Sequence, residues 1–197
     1  MQSPDDNPIM LPVEPIEAVK IRLCCIAMKD ARAIAEIMTP DVSRWLASWP
    51  ANLTVEAVTE RLSRAQNAMR QKRELHFRIE ERERSLTVGY VSVAQSGTDS
   101  TVGHLSYWLG SAFHGKGYMT EAVRHAIAAG FQYLDLESIE AGAQLENISS
   151  FAVMKRVGMI LIGERLVWED NRQQNEKCLF YGIDRAAFQA FRAGSHP

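Results

Sequence analysis

The 197-residue sequence has no basic excess: 22 Lys and Arg stand against 24 Asp and Glu, a formal net charge of −2. A domain built mainly to hold nucleic acid needs a positive face, so composition argues against that class. The chain also lacks any apolar run near the ~18 residues that span a bilayer, which excludes a membrane helix. Its longest strongly apolar stretch is Met159-Ile160-Leu161-Ile162. The first residues, MQSPDDNP, carry acids where a secretory signal carries Lys or Arg, so the expected location is cytoplasmic. Cysteines number three, and Cys24 and Cys25 are adjacent. Neighbours in a strand point to opposite faces, so these do not form a disulfide framework. Cys24, Cys25 and Cys178 are read as small buried hydrophobes in a reducing setting. His76, His104, His125 and His196 show no ligand spacing, and no metal is assigned.

What is there is an ordinary globular composition, 46% apolar and 23% charged, enough for one core and short for two. Four of seven prolines fall in the first fifteen residues, which reads as a flexible N-terminal arm over residues 1–15. Structure is expected to begin with the alternating Val19 to Leu23. Asp30 is placed as the N-cap of a helix through Ile34 and Met38, and Thr54 starts another through Val58, Leu62 and Met69. Trp45 to Pro50 is read as a short helix or turn ended by Pro50. Period-two patterns follow in Leu75–Ile79, Leu86–Val93 and His104–Leu109, joined by a charged tip over Glu80–Ser85 and a polar turn over Gln95–Ser100. This is an antiparallel meander, with the charges around Glu81 read as a solvated turn. The helical period returns from Met119 to Leu134. Gly130 inside that helix costs ~1 kcal/mol against Ala, which close packing on a strand would explain. A strand over Ser138–Ala143, a helix over Asn147–Val157 capped by Gly158, strands over Met159–Trp168 and Cys178–Ile183, a polar loop over Glu169–Glu176 and a closing helix from Asp184 complete the chain. The order predicts an α+β (mixed α/β) domain.

The chemistry concentrates where the strand ending Tyr107-Trp108-Leu109 runs through His114-Gly115-Lys116-Gly117 into a helix beginning Tyr118-Met119-Thr120. The first turn of a helix leaves backbone N–H groups unpaired, and with the helix dipole they form an anion site. Glycines let backbone approach the anion, and Lys116 adds a positive charge. That combination points to phosphate or pyrophosphate. A Walker loop requires G-x-x-x-x-G-K-[ST], which is absent. The dinucleotide fingerprint G-x-G-x-x-G is met by Gly115 and Gly117 but has Thr120 at its third glycine, with Asp135 and Glu137 only a weak match to its ribose-binding acid.

On these residues the sequence resembles the GNAT superfamily of acyl-CoA-dependent N-acyltransferases, and within it the ribosomal-protein N-terminal (alanine/serine) acetyltransferase branch. The family loop [QR]-x-x-G-x-[GA] reads here as His114-Gly115-Lys116-Gly117-Tyr118-Met119, flanked by Tyr107-Trp108-Leu109-Gly110 and Thr120-Glu121-Ala122. A second motif, Glu146-Asn147-Ile148-Ser149-Ser150 with Lys155 and Gly158-Met159, resembles that branch's E-N-x-x-S followed by G-F. The resemblance covers about residues 18 to 184. It implies a central twisted mixed sheet of about seven strands with helices on both faces, making residues 16–197 a single N-acetyltransferase domain that acts as monomer or homodimer.

The resemblance further implies acetyl-CoA as cosubstrate. The backbone of His114 to Thr120 would hold its pyrophosphate. The strand Tyr107-Trp108-Leu109 would bond the pantetheine, with an N–H such as that of Leu109 polarising the thioester carbonyl. Asn147 would bond the pantetheine arm. Direct attack by the amine requires a base and an acid. Many relatives place a Tyr acid where this chain has Met154. Ser150, three residues after Asn147, matches the residue that the ribosomal-protein branch places near the sulfur and is assigned to the thiolate. Glu169 stands where that branch carries a Glu and is assigned to the base, with Asp170 the competing neighbour and Lys177 standing where many relatives carry an acid. Plain readings stand beside these: Asn147 and Ser150 as helix-start residues, Glu169 as a solvated carboxylate, His114 as an exposed ring. Trp45 and Trp49 either wall the acceptor cleft or simply pack. The expected acceptor is a protein or peptide N-terminus, with a polyamine or aminoglycoside-like amine, a non-catalytic acyl-CoA-binding module, or a dinucleotide-binding protein as alternatives.

Overall fold

A computed structural model of the chain describes residues 14–170 and 172–194; the expected arm lies, up to residue 13, outside the described residues. Among the described residues eight strands form one sheet: β1 (Ile16–Glu17), β2 (Ile21–Cys25), β3 (Glu74–Glu81), β4 (Leu86–Gln95), β5 (Val102–Leu109), β6 (Ser138–Gln144), β7 (Ile160–Glu169) and β8 (Gln174–Asp184). Their spatial order is β1-β2-β3-β4-β5-β6-β8-β7, antiparallel except for β5 beside β6. The helices are α1 (Ala31–Ile37), α2 (Pro40–Ser43), α3 (Val55–Arg70), α4 (Tyr118–Tyr133), α5 (Ile148–Arg156) and α6 (Arg185–Arg192). Among the described residues no helix is long and apolar enough to cross a membrane.

Strand alternation sorts side chains onto two cores. Leu75, Phe77 and Ile79 of β3 and Val91 and Val93 of β4 pack with Ala122, Val123 and Ile127 of α4, Phe151 and Met154 of α5 and Phe188 of α6. Tyr90 and Trp108, on the opposite face, pack with Trp49, Ile34 of α1 and Val58 and Leu62 of α3. The apolar stripe of α3 is the predicted one, and Thr54 caps it by accepting from the N–H of Ala57. Gly130 sits where expected: a Cβ there would lie 3.0 Å from Ile139 Cδ1 and 3.1 Å from Val93 Cγ1. Helix α4 thus rides directly on the sheet.

Several boundaries differ from expectation, each for a physical reason. The first long strand begins at Ile21 because Val19 and Lys20 turn aside to bond the Glu121 carboxylate. Asp30 stands at the α1 N-cap position without capping its N–H groups; its carboxylate accepts from Ala27 N–H and pairs with Arg78. Of the two readings for Trp45–Pro50 the turn is the one found, with a turn at Trp45 and a bend over Ala47 and Ser48. The short helix precedes it on Pro40–Ser43, with proline at its favoured first position. The loop expected over Glu169–Glu176 contracts to a tight turn, since β8 already starts at Gln174.

The charged tip is the largest correction. Glu80 and Glu81 belong to β3 and are buried. Glu81 accepts from the Tyr118 hydroxyl and is held by Arg84, at 2.7 and 2.9 Å; Glu80 is held by Arg78 and Arg22. Burying a carboxylate is tolerated when a cation and a hydroxyl meet it, and a linear charge pattern does not show such partners.

One feature of the topology builds the site. β5 and β6 pair only over Val102–His104 and Ser138–Glu140. Beyond that, β5 stays with β4 as far as Leu109, while β6 follows β8 as far as Gln144. The two parallel strands diverge, and a wedge opens between Leu105–Leu109 and Ala141–Gln144.

Candidate active site

The wedge is the floor of a cavity of about 400 Å³, within the range of small-molecule sites. Its walls come from both open strands, from His114, Gly115 and Met119, from Asn147, Ser149 and Ser150, from Val42 and Trp45–Ala47, and from Val167, Glu169, Cys178 and Phe180. Gly110 donates its N–H to the Val88 carbonyl on β4. Antiparallel alternation then turns the N–H of Leu109 to the other edge, toward the wedge. The Leu109 carbonyl accepts from His114 Nε2 at 3.1 Å, tying the loop to the strand end. Of the strand's side chains, that of Trp108 lies in the second core, its ring 5.3 Å from Trp49. Tyr107 donates its hydroxyl to the Ser150 carbonyl at 3.2 Å.

At the α4 end, Gly115 and Gly117 adopt φ of +76° and +82°, conformations that L side chains resist. Gly117 is the α4 N-cap and offers no capping side chain. The backbone N–H groups of residues 115–120 donate to no other described residue; the first helical bond runs from Glu121 to Gly117. A left-handed turn opening a helix with free N–H groups has the geometry of an anion cradle. Lys116 holds its ammonium 5.5 Å from the Phe113 ring and 5.8 Å from the Tyr118 ring, while its carbonyl accepts from Lys20 at 3.2 Å. Lys116, Gly117, Tyr118 and Thr120 thus stand at the cradle rather than lining the cavity, and the Tyr118 side chain is turned away to Glu81.

Asn147 caps α5 through Oδ1, which accepts from Ser150 N–H and the Ser149 hydroxyl. Its capping and ligand-binding readings are compatible, since its amide nitrogen is not used in the cap. Ser150 lines the cavity, and its hydroxyl has no hydrogen-bond partner among the described residues. Met154 is fully buried in the core.

Glu169 is not a solvated carboxylate. It is 3% exposed and lines the cavity. Oε1 accepts from Gln144 at 3.3 Å, and Oε2 meets Arg172 at 3.1 Å in an ionic contact outside good hydrogen-bond alignment. Burial pushes its carboxyl up from the ordinary range, with Arg172 opposing and Glu176 and Asp170 adding to the rise. A raised carboxyl is a better proton acceptor near neutral pH. Asp170 is exposed and accepts from Trp168 Nε1 at 3.0 Å. Lys177 pairs with Glu164 at 2.9 Å, outside the cavity walls. The two tryptophans divide: Trp45 lines the cavity, whereas Trp49 is buried against Tyr90 and Trp108. The Cys178 thiol also lines it but is pushed up to about 11, mainly by burial, consistent with a packing role.

Sequence reasoning did not find Gln144, His104, Glu140 or Arg172. Glu140 accepts a bidentate pair from Arg165 at 2.6 and 2.8 Å and lies 3.3 Å from His104 Nδ1. The one available signal was parity, since Glu140, Gly142 and Gln144 share a face of β6. Among the described residues no group of His, Cys, Asp and Glu is placed to hold a metal ion.

A family model described as "Acetyltransferase (GNAT) domain" matches residues 20–160. A probable N-acetyltransferase of Bacillus subtilis is 34% identical over 128 residues, 60% of this chain and 70% of that protein. A ribosomal-protein-alanine acetyltransferase from Vibrio fischeri superposes with a TM-score of 0.74 at 22% identity, covering 87% of this chain and 96% of that one. A microcin self-immunity acetyltransferase solved with acetyl-CoA and AMP superposes with a TM-score of 0.75 at 18% identity, covering 85% and 93%.

Proposed function

The chain belongs to the GNAT acetyltransferase family, and on that footing we propose that it transfers the acetyl group of acetyl-CoA to the α-amino group of a protein or peptide N-terminus. The residues present fit the cosubstrate. The N–H groups of residues 115–120 would hold its diphosphate. The open edges of β5 and β6, with the Asn147 amide nitrogen, would bond the pantetheine amides. Acetyl-CoA supplies the thioester carbonyl that the amine attacks. The Leu109 N–H faces the wedge, where it polarises that carbonyl. The Glu169 carboxylate takes the proton from the incoming ammonium, and the Ser150 hydroxyl bonds or protonates the departing sulfur.

The observation that carries the acceptor class is the state of the carboxylates in the cavity. Glu140 is already matched by a bidentate pair from Arg165, whereas Glu169 keeps Oε2 without a hydrogen-bond partner. A polyamine or aminoglycoside brings several ammonium groups and needs several uncommitted acids. This cavity instead sets one raised carboxylate among apolar walls from Val42, Trp45, Leu46, Val167 and Phe180. That suits a single ammonium followed by a modest side chain. The test is acetyl transfer from acetyl-CoA to a panel of N-terminal peptides, spermidine and an aminoglycoside, with the acetyl position mapped by fragmentation. Acetylation confined to peptide α-amino groups is expected; turnover confined to the small polycations would overturn the acceptor assignment.

The tryptophans give a paired prediction. Trp49→Ala should destabilise the fold by ~3–5 kcal/mol, the usual cost of emptying a large buried site, seen as a steep fall in Tm. Trp45→Ala should leave Tm nearly unchanged and raise KM for the amine. Thermal melts and steady-state kinetics on both variants separate wall from core, and equal Tm losses would contradict the division.

A further inference from the structure

The turn between β7 and β8 carries a side chain that neither motif reaches. Arg172 N–H and Gln173 N–H both bond the Glu169 carbonyl, at 3.0 and 2.7 Å, so the turn is anchored to the residue that ends β7. From it the Arg172 guanidinium makes a two-point fork on Glu176, through Nε and through Nη2 at 2.8 Å. Nη2 also lies 3.1 Å from Glu169 Oε2. Nη1 donates across the cleft to the backbone carbonyl of Arg44. Arg44 immediately precedes Trp45, Leu46 and Ala47, which wall the cavity. One planar group therefore touches the segment that shapes the acceptor side and the carboxylate beneath it. A lysine ammonium, a single point charge, cannot reproduce that fork.

We propose that Arg172 is a positioning residue that joins the acceptor wall to the base, holding the Arg44–Ala47 segment and the Glu169 carboxylate in their places. This rests on Glu169 being the base. The groups facing Glu169 are few. From its own hairpin come Arg172 and Asp170, from β8 Glu176 and Cys178, and from β6 Gln144; His104 and Glu140 line the same cavity, with Glu140 engaged by Arg165. Arg172 is the cation that lowers the Glu169 carboxyl, against burial, Glu176 and Asp170, which raise it. Removing Arg172 must move the titration of Glu169 upward, and neutralising Glu176 must move it downward.

The test is the pH profile of kcat at saturating peptide, with KM for peptide and for acetyl-CoA, in the full-length protein. Arg172→Met should shift the acid limb up by about one pH unit, as expected for loss of an adjacent opposite charge. It should also raise KM for the peptide about tenfold, the cost of a lost charge-assisted bond, and leave KM for acetyl-CoA unchanged. Arg172→Lys should hold the limb near its original place while still raising KM for the peptide. Glu176→Gln, a milder change, should shift the limb down. A merely structural Arg172 would lower Tm and active fraction with no displacement of the limb in any of the three, and that result overturns the proposal. Glu169→Gln separates the two claims: a limb that survives it refutes Glu169 as base, whereas a limb that it removes but that Arg172→Met leaves in place refutes the role of Arg172 alone.

Discussion

Glu169→Gln is expected to lower kcat by ~10²–10⁴-fold, the usual contribution of a positioned base, with acetyl-CoA affinity unchanged. Gln preserves the shape of the side chain and its bond with Gln144 but cannot accept the proton. With Glu169 as base, the same carboxyl should set the pH dependence. Its burial raises the pH at which it ionises, and it must be ionised to act as base. Activity should therefore fall off on the acid side at higher pH than for an exposed carboxylate, and Glu169→Gln should abolish that limb. Single-turnover rates across the pH range, beside calorimetric titration with acetyl-CoA, check both halves. Full activity in Glu169→Gln would move the base elsewhere in the cavity. Asp170 is a poor substitute, being exposed and bonded to Trp168.

Gly117→Val should weaken acetyl-CoA binding by about 100-fold or more, the equivalent of losing two charge-assisted backbone bonds. Gly117 holds φ +82° at the helix N-cap. A β-branched residue resists that conformation and would pull the following N–H groups out of line. Its methyl groups would also stand where phosphate oxygens must approach backbone. In the free protein the added side chain meets little, the nearest atom to a Cβ being Lys20 Nζ at 3.9 Å. Helix α4 itself is fastened by Ala122, Val123 and Ile127 in the core. The loss should therefore appear in binding and only weakly in Tm. Gly97→Val, in an open turn with no positive φ and nothing within 4 Å, is the matching control. Isothermal titration of both variants decides the matter, and undiminished affinity in Gly117→Val would remove the diphosphate from this loop.

What the sequence made legible was what local chemistry writes into it. Two glycines one residue apart before a helix announce a positive-φ turn that opens the helix with free N–H groups, because only backbone conformation is involved. Period two and period 3.6 located β3–β5, α3 and α4 because alternation and amphipathicity are properties of neighbours. The parts that escaped depend on distant partners. Glu81 looked solvated because Tyr118, which donates to it, lies 37 residues away. Glu169 looked like a loop residue because its burial requires Gln144 on β6 and a hairpin turn that tightens from Gln173, at φ +52°, into β8. Trp45 and Trp49, four residues apart, were indistinguishable by spacing. The fold separates them by ending α2 at Ser43, whose hydroxyl holds the Trp49 carbonyl and closes the segment over the core. The wedge between β5 and β6 is legible only in three dimensions, since it consists of hydrogen bonds that stop after His104.

The most direct test of the central claim is a crystal structure of the protein with acetyl-CoA and a short acceptor peptide. The account predicts the diphosphate on the N–H groups of residues 115–120, the pantetheine between the open edges of β5 and β6, and the thioester within hydrogen-bond reach of the Leu109 N–H. It also predicts the peptide amine between Trp45 and Glu169, directly or through one water. A diphosphate bound elsewhere, or a thioester remote from both Leu109 and Glu169, would contradict it.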